Sequence, residues 1–340
     1  MGFTGYVNSD TGVLGKMAWG AEEYTEAERV QKMLEAGTDI ISGSYEVTPF
    51  KEAFKNNLVS EEVINRALVR TLKEMFELGL FENPYVEPEK ADEVVNTIES
   101  QKLAYRAHQE SVVLLKNTAD LLPLTPAKLK NQKVYVELLG KAATETELEQ
   151  AARSGSAALS QATITAFPSH FAKDHPEIQF TQNYQEADYA LLFLEPASGS
   201  YFEATDDYLE LNILKETGVD LDHLREIRES VSQVIMNVNF DLPFLLTNVE
   251  PMADALLAGF DTYASATLDV ILGTCNPTGK LPVTLPGSDE VIAVDEQGIC
   301  ASPNDVPGYD KDQYMNNFKY GYVDESGNEY YYGHGLAYNN

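Results

Sequence analysis

The sequence predicts an α/β protein: two strand-helix units at the amino-terminal end, then a larger parallel sheet covered by helices on both faces. Three observations carry this expectation. Four apolar runs, at 134–139, 189–194, 234–239 and 253–259, alternate with helical stretches near 144–153, 221–233 and 263–272. Strands buried on both faces of a parallel sheet read in this near-continuous way. Upstream, residues 5–79 read strand, helix, strand, helix, and the Pro- and charge-rich stretch ENPYVEPEKADE at 82–93 separates the two parts.

The elements follow in order. GFTGYVNSD at 2–10 has an apolar run, Phe3, Tyr6 and Val7, ending in Asn8, Ser9 and Asp10, the pattern of a buried strand with a carboxylate at its tip. Residues 22–36 place acidic residues first and an apolar stripe at Tyr24, Val30, Met33 and Leu34, and Gly37 ends that helix. TDIISG at 38–43 is a short β-branched strand, and a second helix covers 47–56. Ser60 is a good N-cap for a third, with Glu61 and Glu62 at the positive end of its dipole and Gly79 beyond its end. Val63, Ala67, Leu68, Leu72, Met75 and Phe76 line one face of it. SQKLAYRAHQESVVLLKN at 100–117 reads as a helix running into an apolar stretch, which Pro123 and Pro126 break. From 287 the chain is rich in Gly, Pro, Asp, Asn and Tyr, an irregular tail expected to wrap the domain.

Length and charge bound the function. The 340 residues suit about two domains of ordinary size. With 54 acidic against 24 basic residues the net charge is −30, a field that repels nucleic acid and anionic lipid. It suits a neutral or cationic substrate. No run approaches the roughly 18 apolar residues of a membrane span, no secretory apolar segment precedes the first strand, and a soluble chain is expected. Cys275 and Cys300 give neither a disulfide framework nor metal-ligand spacing, and five scattered histidines form no metal-binding pair, so no metal is expected.

Two motifs are rejected. GTCNPTGKL at 273–281 glances at a phosphate-binding loop, but Gly273 and Gly279 are one residue too far apart and Leu281 stands where Ser or Thr should bind magnesium. GHGL at 333–336 is too short for a dinucleotide fingerprint, and no Gly-x-Ser-x-Gly elbow follows any strand.

Several segments, in order, resemble glycoside hydrolase family 3, the β-glucosidase and β-xylosidase family. GFTGYVNSD resembles the family's nucleophile strand, EAGTDI the next barrel strand, and NLVSEEVINRALVRTLKEMFELGLFENPY the segment that leads out of the barrel. ESVVLLKNTADLLPL resembles the junction into the second domain, MADALLAGF with LDVILGTCNPTGKLPVTLP that domain's signature, and YYGHGLAY its closing motif. The resemblance implies a partial (β/α) barrel segment, residues 1–90, beginning at the barrel's seventh strand. A linker at 91–125 and a doubly wound α/β sandwich domain with an irregular tail at 126–340 follow. It also implies a retaining, exo-acting glycoside hydrolase without metal or organic cofactor, completed by a second chain that supplies the earlier barrel strands. The rival is a non-catalytic carbohydrate- or partner-binding subunit, or a truncated remnant of such an enzyme. An unrelated doubly wound ligand-binding protein would not carry ESVVLLKN together with NPTGKLPVTLP.

The chemistry sets the residues sought. A retaining glycosidase needs two carboxyl groups about 5–5.5 Å apart, one attacking the anomeric carbon and one protonating the leaving oxygen. By its place in the nucleophile-like strand, the resemblance gives Asp10 the first role; Thr11 beside it departs from the aromatic residue common there. The acid/base is expected on the loop after YALLFL, EPASGSYFEATDDY at 195–208. Glu203, mid-loop, is the first choice. Glu195, where the strand ends, is the alternative, and burial there would raise its pKa. Tyr201 and Phe202 in the same loop are candidates to pack against a sugar face.

Overall fold

The computed structural model describes residues 2–15, 21–43, 45–154, 158–197, 210–289 and 321–338, in two compact units that divide between Val95 and Asn96. In the first unit β1 (Asn8–Thr11) and β2 (Ile40–Ser42) pair in parallel, Asn8 opposite Ile40 and Thr11 opposite Ser42. Between them α1 (Glu26–Ala36) starts at a capping box: the Thr25 hydroxyl accepts the Glu28 N–H, and the Glu28 carboxylate accepts the Thr25 N–H at 2.9 Å. Gly37 ends it at φ 105°, a left-handed position from which its N–H reaches the last carbonyls. The helices α2 (Thr48–Lys55), α3 (Glu61–Glu77) and α4 (Pro88–Val94) follow, and the Ser60 hydroxyl caps α3 by accepting the Val63 N–H.

This unit's core is small: Leu14, Ala27, Val30, Leu34, Ala53 and Val59. Of the apolar stripe predicted on α3 only Ala67 is buried, while Leu68, Leu72 and Phe76 are 51%, 41% and 60% exposed. The opening apolar run is likewise exposed, and the strand begins at Asn8, so Asp10 lies inside β1 instead of at the tip of a buried strand. The reason is area: a two-stranded sheet is too narrow to cover both the run and a 17-residue helix.

The second unit holds α5 (Ile98–Ser111), β3 (Val113–Asn117), α6 (Pro126–Leu129), β4 (Lys133–Gly140), α7 (Glu145–Ser154), α8 (Gln161–Asp174) and β5 (Gln179–Thr181). Then come β6 (Tyr189–Glu195), α9 (Leu221–Ser230), β7 (Gln233–Asn239), β8 (Ala255–Gly259) and α10 (Ala264–Leu272). The sheet order is β3-β8-β7-β6-β4-β5, parallel throughout except that β3 runs antiparallel to β8. Alternate residues feed two cores. Leu192, Leu194, Met236 and Val238 pack with Leu224 and Ile227 of α9, while Leu191, Phe193 and Ile235 pack with Phe171 of α8 and with Leu268 and Ile271 of α10. The sheet is therefore covered on both faces, as predicted.

The stretch expected as a linker, 91–125, is instead largely ordered structure within the second unit. Val112–Leu115 are all at most 1% exposed, and β3 closes the sheet edge while Leu114 accepts the Leu336 N–H. An apolar run that fills both cores from one short strand has no helical period, which is why it reads as a continuation of α5.

Candidate active site

The carboxyl ends of the parallel strands carry the polar groups. The connection after β4 leads to β5 on one side and the connection after β6 leads to β7 on the other, so β4 and β6 flank the point where the sheet's order reverses. Open α/β sheets bind ligands in that crevice. Gly140 ends β4 directly opposite Glu195, which ends β6. A Cβ at Gly140 would lie 2.7 Å from Leu159 Cδ2 and 3.0 Å from both the Cβ and the carbonyl oxygen of Glu195, so only glycine leaves the space.

Glu195 is held from the other side. Asn239, the last residue of β7, donates from Nδ2 to Glu195 Oε2 at 2.8 Å and to Asp261 Oδ1 at 3.2 Å, and its Oδ1 accepts the Asp261 N–H at 2.8 Å. Burial pushes the Glu195 carboxyl up to about 7; the Asn239 hydrogen bond opposes this, and Asp261 and Asp241 add to it as like charges. Desolvation raises Asp241 as well. A carboxyl of this kind holds its proton near neutral pH, the property required of a general acid.

In the first unit Asp10 is exposed, and its Oδ1 accepts the Thr11 N–H at 2.6 Å. Its strand is stitched to β2 by polar side chains: Ser42 N–H donates to Ser9 Oγ at 2.9 Å and Ser42 Oγ donates to Asn8 Oδ1 at 2.7 Å. Nearby in sequence to β2, the Asp39 side chain is inaccessible to solvent, accepting the Val7 N–H at 2.9 Å and pairing with Arg70 at 3.4 Å; its Oδ1 has no hydrogen-bond partner among the described residues. A groove of about 640 Å³ opens beside it, lined by Leu34, Ile41, Phe54, Leu68 and Leu72 among others.

Of the residues predicted from sequence, Asp10 and Glu195 have described surroundings. Glu203, Tyr201 and Phe202 lie outside the described residues. Asn239 and Asp261 were missed, although a signal exists: NVNFD and GFDT each place polar residues directly after an apolar strand. Among the described residues no group of three His, Cys, Asp or Glu is placed to hold a metal ion. No helix is long and apolar enough to cross a membrane, again among the described residues.

The fold is that of a known class. Residues 112–338 match the "Glycosyl hydrolase family 3 C-terminal domain", and the chain belongs to that family. It is similar to "Probable beta-glucosidase C" of Aspergillus flavus, 28% identical over all of this chain and 47% of that protein. It is also similar to "Periplasmic beta-glucosidase/beta-xylosidase" of Dickeya chrysanthemi, 27% identical over 81% of this chain and 38% of that protein. The crystal structure of a β-glucosidase from Listeria innocua in complex with glucose shares the fold, with a TM-score of 0.59 at 19% identity over 99% of this chain and 47% of the other. The chain thus spans about half the length of the curated relatives it matches.

Proposed function

We propose that this chain is the part of a retaining β-glycosidase that carries both reacting carboxyl groups. The observation that carries the reading is Glu195: a desolvated carboxyl, raised to about 7, at the switch point of a family 3 sheet. In the first step an Asp10 oxygen attacks the anomeric carbon, the glycosidic C–O bond breaks, and the Glu195 proton passes to the leaving oxygen. In the second step the Glu195 carboxylate takes a proton from water as that water's oxygen attacks the anomeric carbon and releases Asp10. Glu203, eight residues further along the sequence, is the alternative acid. The names of the relatives point to β-linked glucosides and xylosides as substrates.

The exposed apolar side chains of α3 and the open groove beside Asp39 support a further polypeptide, one supplying barrel strands, as part of the active assembly. The reading is tested by proton NMR of the first sugar released from an aryl β-glucoside, using the chain alone and joined to such a polypeptide. The β-anomer is expected, and only from the joined preparation. First release of the α-anomer overturns the retaining mechanism. Equal turnover by the chain alone overturns the need for a partner.

A further inference from the structure

Resting on that reading of Glu195, we infer that Asn239 is a positioning residue that fixes which oxygen of the acid carries the transferable proton. The Asn239 amide has one usable orientation. As placed, its Nδ2 faces two carboxylate oxygens, Glu195 Oε2 and Asp261 Oδ1, while its Oδ1 faces the Asp261 N–H. Turning the amide over sets its oxygen against both carboxylate oxygens and its NH₂ against an N–H donor, so all three contacts become repulsive. Asp261 reaches this position at φ 52°, a left-handed conformation that Asp adopts more readily than most residues. The two-point contact between Asp261 and Asn239 therefore locks the amide with an N–H aimed at Oε2.

That lock has a chemical consequence. Oε2 always accepts from Asn239, so when Glu195 is neutral its proton sits on Oε1, which has no hydrogen-bond partner among the described residues. When Glu195 is ionised, Oε2 remains engaged and Oε1 is the basic atom. One oxygen then both gives the proton to the leaving group and later takes one from water, as a residue that acts first as acid and then as base must do. Among the described residues, the charged groups acting on Glu195 are Asp261, beyond β8, and Asp241, beyond β7, both carboxylates. They favour the protonated form, while Asn239 restrains them and selects the oxygen.

The test titrates Glu195 in the 340-residue chain by carbon-13 NMR with labelled glutamate, its signal assigned by loss in Glu195→Gln. Asn239→Leu keeps the volume and removes the donor. Loss of one charge-assisted hydrogen bond should raise the midpoint by roughly one pH unit. Asn239→Ser, too short to reach Oε2, should give the same upward shift and serves if the leucine variant does not fold. Asp261→Asn keeps the contact but removes a like charge, and should lower the midpoint. An unmoved midpoint in both folded Asn239 variants overturns the positioning role even if Glu195 is the acid. Absence of leaving-group dependence in Glu195→Gln overturns the acid assignment even if the midpoint moves.

Discussion

Lys116 of β3 places its Nζ 2.6 Å from Glu250 Oε1, and the Tyr322 hydroxyl donates to the other oxygen of the same carboxylate at 2.9 Å. Glu250 is only 3% exposed, so this contact joins the sheet's edge strand to the carboxyl-terminal segment inside the protein. Lys116→Met should leave a buried carboxylate without its cation and destabilise the second unit by about 3 kcal/mol. Pairing it with Glu250→Gln should recover much of the loss. Urea unfolding followed by circular dichroism measures both, and a loss under about 1 kcal/mol for Lys116→Met would show that the pair is dispensable.

Gly279 packs so closely on the junction between α5 and β3 that an added Cβ would lie 2.3 Å from the Val112 carbonyl oxygen and 2.9 Å from that of Ser111. Backbone atoms cannot step aside as a flexible side chain can. Gly279→Ala should therefore cost on the order of 1–3 kcal/mol, the usual penalty of overpacking. Thermal unfolding reads this. An unchanged midpoint would mean that the segment 276–281 shifts freely.

Glu195 should leave a signature in stability against pH. Its folded value of about 7 lies above the roughly 4.3 of an unfolded glutamate, so between those values the folded chain binds more protons than the unfolded one. Stability from this group is full below about 4.3 and is lost as pH rises through 7. Glu195→Gln should flatten that slope and make the chain more stable than the parent at pH 8. Parallel curves for parent and variant would place Glu195 in water and remove the basis of the acid assignment.

Loss of the general acid should hurt poor leaving groups most, because only they need a proton at the glycosidic oxygen. In an active preparation, Glu195→Gln should slow a cellobiose-like substrate by roughly 100-fold or more. Dinitrophenyl glycosides should suffer far less, and azide should rescue their second step. Glu203→Gln should give a modest loss independent of the leaving group. The reverse pattern would move the role to Glu203.

Much of this was legible in the sequence because burial on both faces leaves an unbroken apolar run. The strands at 189–194 and 234–239 stand out for that reason, and the structure extends each by a single residue. Caps were legible too, since Ser60 and Gly37 act through local hydrogen bonds and a local φ. β3 was not, because a strand that serves as a short antiparallel edge carries no turn before it and follows α5 directly. At the site, Glu195 could be placed by its position after a strand. Asn239 and Asp261 could not be linked to it, since their contact joins residues 22 apart across two strand ends and depends on register.

If Asp10 is the nucleophile, it forms a covalent bond to the sugar that can be trapped. A preparation that hydrolyses an aryl β-glucoside is treated with a 2-deoxy-2-fluoro-β-glucoside bearing a dinitrophenolate leaving group, digested and sequenced by mass spectrometry. One fluoroglucosyl adduct is expected, on Asp10 within GFTGYVNSDTG, and neither adduct nor turnover in Asp10→Asn. An adduct on any other carboxylate, or undiminished turnover by Asp10→Asn, would contradict it.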